Sequence, residues 1–482
     1  MIASYMKDLP EEWQILYEER LNLNWVQNSR LALDWFLSFI KSEEWDVRKR
    51  NVVRYFRAQH DFLLGDNNAA AIAIEDEKAR IAFHEDWMGW YLYLIESIFE
   101  RPVVDELSQG ARIYPFFAAI GRHIELAKKI KGIDVKLNEV LNGKNNQPDA
   151  TLFEIVVAIT YARNGWEVEF LPETPTQKTP DLLVSRYKEK FYVECKRQSK
   201  VTEYSELERK AWRARWSKLV PALMYFKKPI FIDVTFKTEV ETTEIDIMEK
   251  SFLKIMRSGE LKSERSYEDE RIKLSARPIN IKKVNEHFAK FFVRQNSPQL
   301  VSLLASGYKS SENYTHLIAP SGMVAVGPDD EYHALNEFYT GVHQAYCARW
   351  VCIAEASIDK KAKDVKKLLS KAVNQAPADF PTIVHIAYET LHGPHIEFRR
   401  SAKINASLRD FDCKGKKICA VYCHAIQPSV SESDWEIAET TTRFAQYGFN
   451  PERILPHDLL LDCVFTAIHS DTHWNQDLNS LN

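Results

Sequence analysis

The chain of 482 residues contains no apolar stretch approaching the roughly 18–20 residues that cross a bilayer. The longest candidate, Trp87 to Phe99, is interrupted by Glu96 and reads as a buried helix. Met1 to Pro10 lacks a basic segment followed by an apolar core, so no secretory signal is expected. Cysteine is sparse as well. Seven, an odd count without framework spacing, point to free thiols and a reducing, cytoplasmic setting. No Gly-x4-Gly-Lys-Ser/Thr loop is present, which excludes an ATP-driven motor of that type. Ser321-Gly322 does not make a nucleophile elbow, and there is neither a fixed-period repeat nor a low-complexity segment.

Charge of one sign is also missing overall, the net value being −4. The distribution is uneven, however. Between Leu183 and Lys228 stand 13 Lys/Arg against 5 Glu, an excess of +8, which leaves −12 for the remainder. Residues 399–417 carry seven Lys/Arg against two Asp. Local clusters on a mildly acidic chain suit a confined polyanion site, or simply solvated faces.

What is present is the profile of a soluble globular protein, with 45% apolar and 27% charged residues and twelve Trp. Its length suggests about three domains. Residues 1–145 read as a helical domain, apolar and aromatic positions recurring at three and four (Trp13, Leu16, Tyr17; Leu31, Trp35, Phe39). Breaks are expected at Gly65–Asn68, at Arg101-Pro102 and in the polar stretch before Pro148. Asp149 can cap a helix from about Ala150 to Asn164, stopped by Gly165. Strands follow at Trp166–Leu171, Asp181–Ser185 and Phe191–Lys196, then a helix at Ser205–Phe226 and a strand at Pro229–Phe236. This α-β-β-β-α-β unit, residues 148–240, precedes a mixed region at 241–345. A C-terminal α/β region at 346–482 is either separate or completes the first sheet after an insertion. Its expected elements are Trp350–Ala356, a helix at Lys360–Gln375, and strands at Thr382–Tyr388 and Lys417–His424.

The chemistry gathers in the second and third strands. A hairpin turning between Tyr187 and Lys188 pairs residues whose numbers sum to 375, which sets Asp181 opposite Glu194. Strand alternation then puts Leu182, Val184, Phe191, Val193 and Cys195 on one apolar face. Asp181, Glu194 and Lys196 fall together on the other, and a slip of one residue would destroy both features. Opposed carboxylates about 4 Å apart repel by roughly 4 kcal/mol at an effective dielectric near 20. A hard divalent cation, Mg²⁺ or Mn²⁺, turns that repulsion into binding. Lys196 can then serve a water or the developing charge on a phosphate. Glu154, in the apolar run Leu152–Ile159, either joins this site or lies on a narrow exposed stripe with Ala158 and Tyr161.

Thr179-Pro180-Asp181, then Val193-Glu194-Cys195-Lys196, with a Glu-bearing helix before and a basic helix and strand after, resembles the PD-(D/E)xK nuclease superfamily. The resemblance covers about residues 148–236, a fifth of the chain. It implies a restriction-endonuclease-like α/β core flanked by the helical domain and the C-terminal extension. It also implies a metal-dependent nuclease acting on DNA, with RNA second, and by analogy a defence or restriction role. Asp181, Glu194 and the Cys195 carbonyl would ligate the metal, Lys196 would serve the attacking water, and Glu154 would complete the set. The following helix lacks the Gln-x-x-x-Tyr signature of the resolvase-and-recombination branch.

Arg197, Gln198, Arg209 and Arg213 are the expected nucleic-acid contacts, positioning substrate without reading sequence. On that helix Trp212 and Trp216 read as core. A homodimer or a protein partner through the helical domain is compatible with this reading, and no membrane partner is expected. The alternative function is a catalytically silent nucleic-acid-binding or scaffolding subunit. Cys413, Cys419, Cys423 and His424, and likewise Cys463, His469 and His473, lack zinc spacing and read as ordinary residues.

Overall fold

The computed structural model describes residues 11–63, 86–100, 106–142, 148–172, 179–198, 203–325, 337–409, 411–431, 434–462 and 471–480. The expected breaks at 65–68 and 101–102, and Cys463 and His469, lie outside them. Among the described residues no helix is long and apolar enough to cross a membrane.

The chain opens with helices α1 (Glu11–Leu21), α2 (Asn24–Leu37), α3 (Ser42–Leu63), α4 (Trp87–Glu100), α5 (Leu107–Arg122), α6 (Ile124–Ala127) and α7 (Ile133–Asn142). Helix α4 is buried from Met88 to Phe99, as its apolar composition requires. Glu96, the charge that breaks this run, accepts the Trp45 indole N–H at 2.7 Å and faces Lys49 at 3.3 Å. Helices α2 and α5 cross closely at Gly121, where a Cβ would stand 1.7 Å from the Asn28 carbonyl oxygen. Only glycine fits there.

Next come α8 (Pro148–Arg163), β1 (Glu167–Phe170), β2 (Leu182–Arg186), β3 (Glu189–Arg197), α9 (Glu203–Phe226) and β4 (Ile230–Phe236), within a residue or two of expectation. Gly165 ends α8 with φ +81°. There follow α10 (Ile247–Met256), β5 (Arg265–Glu268), β6 (Ile272–Pro278), α11 (Ile281–Phe288), β7 (Val293–Arg294), α12 (Pro298–Ala305), β8 (Asn313–Ala325) and β9 (Glu337–Cys352). The chain finishes with α13 (Glu355–Lys361), α14 (Lys366–Gln375), β10 (Thr382–Glu389), α15 (Pro394–Arg409), β11 (Ile418–Val430), β12 (Trp435–Ala445), α16 (Pro451–Ile454) and α17 (His473–Ser480). The helix expected at 360–375 is thus two helices.

Among the described residues two six-stranded mixed sheets result. The first runs β1-β2-β3-β10-β11-β12, with β3, β10 and β11 parallel and the remaining pairs antiparallel. The second runs β5-β6-β4-β9-β7, with β8 also on β9.

One expectation is corrected here. Strand β4 does not join the unit of residues 148–240. It pairs with β6 and, in parallel, with β9, Ile230 opposite Tyr346. The parallel neighbour of β3 is β10, with Val384 opposite Glu194. Residues 203–361 form an excursion through the second sheet, and the C-terminal strands complete the first. Both β4 and β10 are mostly apolar and largely buried, as strands inside a covered sheet are, so composition cannot choose between them.

Nor does packing separate the helical segment from the first sheet. One apolar cluster runs from Trp25 through Phe117 and Phe153 to Val193, Tyr422 and Trp435. Trp25 meets Trp435 of β12 edge-on at 5.1 Å. The opposite face of the sheet is covered by α14 and α15, through Leu369, Val373 and Ile404 against Val384 and Ile386.

Candidate metal centre

The β2–β3 hairpin sets the geometry. Its tip is Tyr187-Lys188, with Tyr187 at φ +55° and almost fully exposed. The register pairs Leu182 with Val193 and Arg186 with Glu189, so partners sum to 375. Extending it by one residue sets Asp181 opposite Glu194, and the Asp181 N–H donates to the Val193 carbonyl at 3.1 Å. Leu182, Val184, Phe191, Val193 and Cys195 are all buried against α8, the apolar face the alternation required.

On the other face, the Cys195 backbone N–H donates to Asp181 Oδ2 at 2.6 Å, which fixes that carboxylate across the strand pair. Glu194 is fully buried. The Lys196 ammonium rests on Glu194 Oε1 and also donates to the Cys195 carbonyl at 3.1 Å. Glu194 Oε2 is a buried oxygen with no hydrogen-bond partner among the described residues.

Glu154, on α8, belongs to the same group of charges. Ala158 and Tyr161 are fully buried, so the exposed stripe considered from the sequence does not exist. Its partner is Lys136 of α7, whose Nζ lies 2.8 Å from Glu154 Oε2, an ion contact short of hydrogen-bond alignment. Both side chains are 13% exposed. Lys136 was missed in the sequence, where nothing in its local spacing links residue 136 to residue 154. Only the packing of α7 on α8 shows it.

The electrostatics follow from burial. Glu194 is pushed well above the ordinary carboxylate value by desolvation and by the Asp181 charge, with Lys196 opposing. Glu154 is raised by burial and then by Asp181, while Lys136 pulls it down. For Lys196, burial lowers the proton affinity, but the Asp181 and Glu194 carboxylates outweigh it and the group stays cationic. Cys195, on the apolar face, is held well above its usual value by burial and is an inert thiol.

No three His, Cys, Asp or Glu side chains surround a common point among the described residues. The donor set is instead two carboxylates, from Asp181 and Glu194, and the Cys195 carbonyl. Those are hard oxygens suited to Mg²⁺ or Mn²⁺, and the unmatched Glu194 Oε2 has room in its bonding for a cation. Lys196 holds Glu194 Oε1 and the Cys195 oxygen, the same atoms a metal would take. These residues fit the ion, with the ammonium as its competitor.

The expected nucleic-acid contacts fare differently. Arg197 is turned to the opposite face and buried. It donates to Glu389 at 2.8 Å and to the Asp149 carbonyl at 3.2 Å, and lies over the Phe116 ring. Arg112 takes the other oxygen of Glu389 at 2.5 Å. Arg197 is a clamp between helices and sheet, and the surface role is corrected, because strand alternation sends residue 197 away from residue 196. Gln198 is half-buried and reaches the Asp364 carbonyl at 3.4 Å. On α9, Arg213 is exposed and Arg209 half-buried. The core side of that helix faces the second sheet, with Trp212 stacked on Trp350 at 5.0 Å and on Trp216 at 6.2 Å.

A second buried polar column, which no local pattern announces, stands on the helix side of the sheet. Tyr161 Oη lies 3.0 Å from His385 Nε2, His385 Nδ1 lies 3.0 Å from His424 Nε2, and Glu439 stands 3.4 Å beyond His424. His424 is thereby a satisfied core residue rather than a zinc ligand.

No protein-family model, no curated protein and no solved structure matches this chain.

Proposed function

We propose that the Asp181, Glu194 and Lys196 group is the centre of a divalent-metal-dependent phosphodiesterase of the PD-(D/E)xK type, acting on DNA and secondarily on RNA. The observation carrying this reading is the buried Glu194 carboxylate, set opposite Asp181 and leaving one oxygen unbonded. Glu96 and Glu397 are buried with an oxygen outside hydrogen bonding too, so it is the company of Asp181 and Lys196 that sets Glu194 apart. Here two acids and a lysine converge, and burial disfavours the Glu194 charge until a cation arrives.

Asp181 and Glu194, with the Cys195 carbonyl, would hold Mg²⁺ or Mn²⁺. A bound ion supplies Lewis acidity toward a phosphoryl oxygen. The Cys195 N–H keeps Asp181 oriented, and Lys136 opposes the burial that disfavours the Glu154 charge at the border of the site. Displaced from Glu194, the Lys196 ammonium can steady negative charge on the phosphoryl oxygens. Hydrolysis then forms one P–O bond from water and breaks the P–O bond to the leaving sugar oxygen, which takes up a proton.

The test is degradation of plasmid, single-stranded DNA and RNA with Mg²⁺ or Mn²⁺, alongside metal binding by calorimetry. Wild type is expected to bind metal and degrade at least one substrate, and Asp181→Ala and Lys196→Ala to degrade none. Equal inertness of all three proteins together with absent metal binding would sink the reading.

A further inference from the structure

Helix α14 lies along β3, over the face that carries Glu194 and Lys196. Just before its start the Asp364 carbonyl receives Gln198 Nε2, and beyond its end Phe380 packs on the Tyr192 ring at 4.5 Å. Its inward residues, Leu369, Ala372 and Val373, share an apolar cluster with Val384 and Ile386. Those two strand residues are the in-register neighbours of Glu194 and Lys196. At about 10 Å across, a helix so placed keeps its outer side within one helix diameter of the strand below.

That outer side is basic. Lys367 and Lys371 share it one turn apart, Lys366 is exposed on the flank of the first turn, and Lys363 precedes them. None has a side-chain hydrogen bond or ion pair among the described residues. The cations around them are engaged. Lys360 pairs with Glu239, Lys361 with Glu208, Arg399 with Glu355 and Lys403 with Asp359. Lys416 caps the carbonyls of Asn374 and Ala376, and Lys417 bonds the Asp379 carbonyl. The basic run of residues 399–417 is thus largely structural. The free charge lies on α14 instead, and within that run Arg409 is exposed with no partner among the described residues.

The placement also violates the helix's own preferences. Lys366 and Lys367 occupy the first turn, where the macrodipole disfavours cations, and the acid just before it, Asp364, is taken up by the Lys366 backbone N–H and the Ser407 hydroxyl. Lys367 and Lys371 are four apart and repel. Exposed lysines set against these local preferences mark positions suited to an external partner. We infer that this face of α14 seats the phosphodiester backbone of the nucleic acid whose cleavage is proposed above. The occupant follows from charge, since lysine ammoniums without geometric partners make point contacts to phosphates rather than reading base edges.

The inference rests on the nuclease reading for its biological sense, but its test does not. Binding of a fluorescent 30-nucleotide duplex DNA, single-stranded DNA and RNA is measured in EDTA across a salt series, so neither metal nor cleavage enters. Lys366→Gln/Lys367→Gln/Lys371→Gln is compared with Lys283→Gln/Lys290→Gln/Lys309→Gln, an equal charge change on exposed lysines beside the second sheet. Glutamine suits a helix, and surface exchanges of this kind leave stability nearly unchanged. The α14 variant should bind about 10-fold or more weakly, with the slope of log affinity against log salt shallower by about 2–3. The control should keep both. Equal behaviour of the two variants, or a wild type that binds none of the three probes, overturns the inference. The nuclease reading is judged separately, by metal binding and cleavage.

Discussion

Lys136 Nζ stands 2.8 Å from Glu154 Oε2, joining α7 of the helical segment to the helix beside the carboxylate-bearing hairpin. This contact makes the N-terminal helices part of the site rather than an appendage. Lys136→Met leaves a buried carboxylate without its cation, which typically costs about 3 kcal/mol. The loss should be largest near pH 8, where Glu154 must be charged, and small near pH 5, where it is protonated. Urea unfolding at both pH values, in Glu154 and Glu154→Gln backgrounds, reads it. A loss that is independent of pH and unrelieved by Glu154→Gln would rule out the pairing as its origin.

Glu154 and Glu194 are both raised above their ordinary value of 4.5, chiefly by burial. Between that value and their folded-state titrations, the native protein binds more protons than the unfolded chain. Stability of the metal-free protein must therefore fall as pH rises through this window. Glu194→Gln should flatten the fall, and Mg²⁺ should offset it at the alkaline end by replacing protons with a cation. Thermal unfolding from pH 5 to 8, with EDTA or with Mg²⁺, is the measurement. A wild type whose melting temperature climbs across this range as much as that of Glu194→Gln contradicts the assignment.

The two ends of the Lys196 side chain's function can be separated. Its ammonium occupies Glu194 Oε1 and the Cys195 carbonyl, both expected metal ligands. Lys196→Ala should therefore bind Mg²⁺ at least as tightly as wild type, while losing cleavage. Asp181→Ala should lose both. Calorimetric titration near pH 8 decides the matter. Markedly weaker metal binding in Lys196→Ala would mean that the lysine supports the metal site instead of competing for it.

The legibility of the sequence was uneven for physical reasons. Hairpin register and facing were readable, because a period of two and a single polar tip admit one solution for Asp181, Glu194 and Lys196. The partner of β3 was not, since β4 and β10 carry the same apolar signature and their choice is made by tertiary packing. Lys136 and the cover of α14 lie 18 and 170 or more residues from their neighbours on α8 and β3, at separations where no local pattern speaks. The charge of Arg197 suggests a surface contact, but strand alternation turns it away from Lys196 and into the helix-side packing.

Arg197 also yields the sharpest contrast with the sequence expectation. Its side chain, 7% exposed, joins Glu389 of β10 and the Asp149 carbonyl at the head of α8, while Arg112 of α5 holds the other Glu389 oxygen. Arg197→Ala removes one arm of a desolvated three-element clamp and strands part of Glu389, a loss of about 3 kcal/mol or more. Arg197→Lys keeps the charge but cannot bond Glu389 and Asp149 at once, so it should fall between. A phosphate contact predicts the opposite pattern: unchanged stability and weaker, less salt-sensitive binding of nucleic acid. Unfolding free energies and metal-free binding of duplex DNA separate the two, and normal stability with a shallower salt slope in Arg197→Ala would return this residue to the surface.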